Sequence, residues 1–179
     1  MTKAFLFLTD GFEEIEALAS VDVLRRAGVE LQTVSLTGQK EITGGHQIPV
    51  LADALFAETD FSSAEILIIP GGTTKFNDYP ELKEQLRAFA VAGKKLAAIC
   101  AAPMVLGQAG LLEGKKATCY PSFEKYLSGA DLQSAAVVVD GNIITGKGPG
   151  FAVDFALTIV QELLGKDARN EVASAMLLA

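Results

Sequence analysis

The sequence predicts a doubly wound α/β domain, a mostly parallel sheet with helices on both faces. Three observations carry this. Short apolar runs, AFLFL at 4–8, ILII at 66–69 and KLAAI at 95–99, show no polar face, which suits strands buried on both sides. Segments with helically spaced apolar residues alternate with these runs, as βαβ units require. No linker, repeat or low-complexity stretch interrupts the pattern, so residues 1–179 are read as one domain.

Each element follows in order. The first strand is 4–8. Residues 13–26 form the first helix, with an apolar stripe of Ile15, Leu18, Val21, Val23 and Leu24. Arg25 and Arg26 sit favourably near its C-terminal end, and Gly28 stops it. A second strand covers 31–36. Gly44-Gly45 inside 41–51 marks a hairpin. The strand at 66–69 ends at Pro70-Gly71-Gly72, and an amphipathic helix at 81–92 closes at Gly93. The strand at 95–99 runs straight into Cys100. A short helix at 103–109 carries Pro103 in its first turn. Asp140-Gly141 joins strands 136–139 and 142–145 as a hairpin, and a long helix covers 149–164.

Composition excludes several classes. With 15 Lys and Arg against 22 Asp and Glu, the formal charge is -7, which disfavours binding to nucleic-acid phosphates. Two cysteines make no disulfide framework, so a reducing compartment is expected. No apolar run approaches the ~18 residues of a membrane span, and the first residues lack a signal-peptide pattern. The expectation is a cytoplasmic protein with no membrane partner. One histidine and two cysteines cannot supply the usual zinc sets, so no metal is expected. There is no nucleotide fingerprint, and Gly146-Lys147-Gly148-Pro149-Gly150 reads as a connecting loop.

The chemistry centres on AAICAAP at 97–103. A strand ends at Cys100, and small residues then turn the chain sharply into a helix, as in the nucleophile elbow of hydrolases. Ligands of open α/β sheets sit outside the carboxyl ends of the strands. A helix N-terminus favours a thiolate. On placement alone, Cys100 is either such a reactive thiol or a small buried hydrophobe. Gly71 and Gly72 end a neighbouring strand, where backbone N–H groups can approach an oxyanion. In DGFEEIE at 10–16, Glu13 and Glu14 suit a helix start, whereas Glu16 lies on a different helical face and can point toward the sheet edge. A carboxyl group beside a thiol can orient it and shuttle protons.

Together, GFEEIEAL with VDVLRRAG, IIPGG, AAICAAP, TCYP and GPGFAVDFAL resemble the ThiJ/PfpI superfamily, in its branch of Parkinsonism-associated proteins. The motifs run in order from Lys3 to about Gly165. The resemblance implies a flavodoxin-like (class I glutamine amidotransferase-like) α/β sandwich and a homodimer. It also implies a reactive cysteine at Cys100, hydrogen-bonded to a protonated glutamate at Glu16. The oxyanion amides fall on Gly72 and Ala101. The family's histidine near the cysteine falls on Tyr120, and the peptidase-like branch's histidine immediately after the cysteine falls on Ala101. Neither Cys-His arrangement is present, so a peptidase loses its base. The single histidine, His46, reads as a surface residue of the hairpin.

The expected function is a cofactor-independent, cysteine-dependent enzyme of the glyoxalase or deglycase type, acting on a small aldehyde or glycated substrate. The alternatives are a redox-sensing or stress-response protein using Cys100, and a chaperone-like binding dimer. Cys100 is expected to be the low-pKa thiol and Cys119 the less reactive one. The first helix is expected to form the dimer contact.

Overall fold

Burial of the three apolar runs on both faces is what assembles the sheet. The computed structural model describes residues 2–178. Its order of elements is β1 (Lys3–Leu8), α1 (Glu14–Arg26), β2 (Glu30–Ser35), the β3–β4 hairpin (Glu41–Thr43 and Pro49–Leu51) and β5 (Ala54–Leu55). Then come β6 (Ile66–Ile69), α2 (Pro80–Val91), β7 (Lys95–Ile99), α3 (Pro103–Gln108), β8 (Lys116–Ala117) and β9 (Asp131–Leu132). The chain closes with β10 (Val137–Asp140), β11 (Ile143–Gly146), α4 (Ala152–Leu164) and α5 (Lys166–Ala175).

Seven strands form the central sheet in the order β10-β11-β7-β6-β1-β2-β5. Every pairing is parallel except β10 with β11. The register sets Ala4 beside both Leu31 and Ile66, and Ile68 beside Ala97. Helix α1 packs on α4, which also holds α5, while α2 and α3 pack on β7 and on each other. The four residues of β6 and the last four of β7 are all buried, the burial their unbroken apolar sequence requires.

The chain runs from β1 outward to β2 on one side, then returns to place β6 on the other side of β1. Strand order therefore reverses beside β1. An open α/β sheet leaves a crevice at the carboxyl ends of the strands where this happens. Four loops meet there, those after β1, β6, β7 and β11.

The structure corrects the sequence reading of the helices at three places. The buried residues of α1 are Glu14, Glu16, Ala17, Ser20, Val23 and Leu24, whereas Ile15 and Leu18 are 58% and 42% exposed. Three of the six are polar, so hydrophobicity alone gives the wrong phase. The long helix starts later, because Pro149–Phe151 forms a 3-10 turn before α4. Helix α5 was not anticipated. Only Val172 and Ala173 are buried along it, and that is too little apolar pattern to read.

Candidate active site

Cys100 follows β7 and takes a left-handed backbone conformation, with φ of 66°. For a non-glycine residue this costs about 1–2 kcal/mol, a strain found where the surrounding structure over-determines the backbone. Here the surroundings do so. The Cys100 N–H donates to the Gly146 carbonyl at 2.9 Å, and the Tyr120 N–H donates to the Cys100 carbonyl at 2.8 Å. Both backbone groups are held from neighbouring loops, so the side chain points into the crevice at the sheet edge.

Glu16 approaches from the first turn of α1. The side chain of Glu13 caps that helix by accepting the Glu16 N–H at 2.7 Å. Ser20 Oγ donates to the Glu16 carbonyl at 2.7 Å. The Glu16 side chain is fully buried, and its Oε2 accepts the Gly71 N–H at 2.7 Å. The Cys100 side chain lies beside the same carboxyl, since a Cβ built on Gly71 would meet both Cys100 Sγ and Glu16 Oε2 within 3.0 Å. Among the described residues, Oε1 finds no hydrogen-bond partner. A carboxylate with one oxygen so poorly compensated is costly to bury. Burial pushes Glu16 from 4.5 up to about 7, against the opposing pull of the Gly71 N–H and the thiol.

Gly71 is required for this contact. A Cβ there would lie 2.6 Å from Cys100 Cβ and 2.8 Å from Glu16 Oε2. Gly72 has φ of 91°, and a Cβ on it would run into the Glu13 backbone. The backbone amides of Gly72 and Ala101 lie near the Cys100 thiol and pull its pKa down. The sequence-predicted residues Cys100, Glu16, Gly71, Gly72 and Ala101 thus converge on one point. Tyr120 adjoins it through the backbone, with its side chain half exposed.

The expectation of a low-pKa thiol needs correction. Burial, then the Glu16 charge, push Cys100 up to about 12, opposed by the Ala101 and Gly72 amides. Helix α3 has only six residues, and its end does not outweigh burial. Cys119 is also buried and is pushed up to about 11, by burial and the nearby Glu124. Cys100 is therefore not distinguished by a lower resting pKa. What distinguishes it is a coupled partner. The thiol is raised by Glu16 only while Glu16 is ionised. Protonating Glu16 removes that charge, so the two groups titrate as a coupled pair.

Sequence reasoning missed the tie between Glu14 and His46. Glu14 is buried, and its two oxygens accept the backbone N–H of His46 at 2.6 Å and contact His46 Nδ1 at 2.7 Å. His46 is exposed, as expected, but it fastens the β3–β4 hairpin to the start of α1. Glu13, Glu14 and His46 bring possible ligand atoms within 4.8 Å of one another. Glu13 is already engaged as the helix cap and Glu14 by His46. No described helix is long and apolar enough to cross a membrane.

Comparison with known proteins gives consistent matches along the whole chain. The model of the DJ-1/PfpI family matches residues 2–162. Protein dj-1beta of Drosophila melanogaster is 37% identical over 182 residues, covering 99% of this chain and 97% of that protein. Its crystal structure superposes with a TM-score of 0.95 at 36% identity, over 99% and 98% of the two chains. DJ-1 homolog A of Arabidopsis thaliana is 36% identical over 184 residues, covering 99% of this chain but 47% of that longer protein. The structure of oxidized Toxoplasma gondii DJ-1 has a TM-score of 0.95 at 32% identity and covers both chains fully.

Proposed function

Since the chain belongs to the DJ-1/PfpI family, we propose that it is a cysteine-dependent enzyme converting small 2-oxoaldehydes to hydroxy acids, with no cofactor. The observation that carries this reading is the fully buried Glu16 carboxyl, held near neutral pKa against the Cys100 thiol. A general acid–base works best with a pKa near the working pH.

The chemistry balances without an external oxidant. The Cys100 thiolate adds to the aldehyde carbon, and Glu16 gives its proton to the resulting alkoxide, forming a hemithioacetal. Glu16, now a carboxylate, takes the hydrogen of that carbon as a proton. The adjacent carbonyl carbon gains a proton in return, which leaves a hydroxy thioester. Water cleaves the thioester to the hydroxy acid and frees the thiol. The aldehyde carbon is oxidised and its neighbour reduced within one molecule. The Gly72 and Ala101 amides face the developing oxyanion.

The absence of a histidine here shapes the rate. Tyr120 occupies that position, and an ordinary tyrosine, with pKa about 10, is a poor base at neutral pH. A missing general base costs roughly 10²–10⁴-fold, so turnover is slow. Purified protein is expected to form lactate from methylglyoxal above the buffer rate, and Cys100→Ala to abolish it. Tyr120→His leaves the rate unchanged or raises it. No lactate above buffer, or turnover surviving Cys100→Ala, contradicts the enzymatic reading.

A second reading is redox sensing through oxidation of Cys100, favoured by the similarity to a relative described in oxidized form. A protonated Glu16 would donate a hydrogen bond to a sulfinate oxygen on Cys100. Mass spectrometry after mild peroxide separates Cys100 from Cys119, and this reading requires Cys100 to oxidise first.

A further inference from the structure

Two clamps meet on the segment that carries Glu16. The inner one grips Gly71 from both sides. The Glu13 N–H donates to the Gly71 carbonyl at 2.9 Å, and Glu16 Oε2 accepts the Gly71 N–H at 2.7 Å. The place of the carboxyl beside Cys100 therefore depends on where residues 13–16 lie. The outer clamp is the β3–β4 hairpin. The Gly11 N–H donates to the Thr43 carbonyl and the Gly45 N–H to the Phe12 carbonyl, both at 2.8 Å, and the Thr43 N–H donates to Asp10 Oδ1 at 3.1 Å. These bonds reach residues 10–12, ahead of the helix. The Glu14–His46 pair extends the grip onto α1 itself, since Glu14 is its first residue. Gly44 makes room for it, because a Cβ there would overlap the Glu14 carboxylate.

We propose that His46 is a positioning residue for the Cys100–Glu16 site: through Glu14 it holds the first turn of α1 against Gly71, which keeps the Glu16 carboxyl dry and beside the thiol. The role of Glu16 in turnover rests on the aldehyde reading, but its placement does not. Burying a carboxylate at 14 is costly, and an apolar residue would avoid that cost. Two directional, charge-assisted bonds to one carboxylate instead fix the turn in a single position. Burial is the main cause of the raised pKa of Glu16. A loosened first turn admits water and lets that pKa fall back toward 4.5. Cys100 and Glu13 are the titratable groups that bear on Glu16 directly, so His46 acts on it through the position of the helix.

The test follows the alkylation rate of Cys100 by iodoacetamide against pH, because the thiol pKa depends on the charge of Glu16. Wild type should show a step near pH 7 that Glu16→Gln removes. His46→Ala removes the ring, and Gly44→Ala displaces the Glu14 carboxylate. Each should move the step down by about one pH unit and lower kcat for methylglyoxal about tenfold with little change in KM. His46→Asn, whose amide can donate to Glu14 from the place of Nδ1, should restore both. A tie that only stabilises the fold lowers the thermal melt and leaves the step where it is, so an unmoved step overturns the proposal. A step displaced equally in His46→Asn overturns it too, since charge and not the bond then governs. Should Gly44→Ala fail to fold, His46→Ala decides, its side chain being exposed. If the step moves as expected but wild type forms no lactate, the positioning stands and the aldehyde reading fails. If wild type shows no such step, the positioning falls and lactate formation alone decides the aldehyde reading.

Discussion

Cys100 and Glu16 hold their chemistry by burial, and that has a consequence for stability. The folded pKa of Glu16 is raised, so the protein binds this proton more tightly than the unfolded chain does. Its contribution is fully present below pH 4.5 and is lost as pH rises through about 7. The rise from 4.5 to about 7 corresponds to about 3 kcal/mol. Urea unfolding of wild type should therefore weaken between pH 5 and pH 8, and Glu16→Gln should remove most of that slope. Equal slopes would show that Glu16 is not buried as the neutral acid. Gly71→Ala tests the packing. A methyl group 2.6 Å from Cys100 Cβ should cost roughly 1–3 kcal/mol in a thermal melt and remove turnover. A wild-type melt with activity retained would contradict the close approach. The position of Cys100 was legible in AAICAAP, because an apolar strand ending in small residues implies the turn. Its ionisation was not legible, because the deciding quantity is the burial of Glu16, contributed by another loop.

At the scale of elements, α1 serves the site with one face and leaves another unpartnered. Ile15 and Leu18, which the sequence assigned to the core stripe, point outward. The buried face carries Glu16 and Ser20 instead. A functional carboxyl in the core-facing stripe is the kind of local inconsistency that misleads a hydrophobicity pattern. The outward face is the proposed dimer contact, and a two-fold interface sets the same patch against itself. Light scattering at micromolar concentration should give the mass of two chains for wild type and of one chain for Ile15→Glu with Leu18→Glu. A monomeric wild type would count against this contact. The hairpins at Gly44-Gly45 and Asp140-Gly141 were legible because turn chemistry is local. Helix α5 was not, since it docks through few apolar residues.

For the whole molecule, alternating strands and helices determine a parallel sheet but not the order of its strands. A right-handed crossover serves equally well on either side of β1. The observed order brings the loops after β1, β6, β7 and β11 to one crevice. That is why a carboxyl at 16, glycines at 71 and 72 and a thiol at 100 meet, although long stretches of chain separate them. The central claim is that Cys100 and Glu16 act together on an aldehyde. The most direct measurement is the initial rate of lactate formation from methylglyoxal at pH 7 for wild type, Glu16→Gln and Cys100→Ala. Wild type should exceed buffer, Glu16→Gln should fall by roughly 10²–10⁴-fold, and Cys100→Ala should match buffer. A Glu16→Gln rate equal to wild type would contradict the claim.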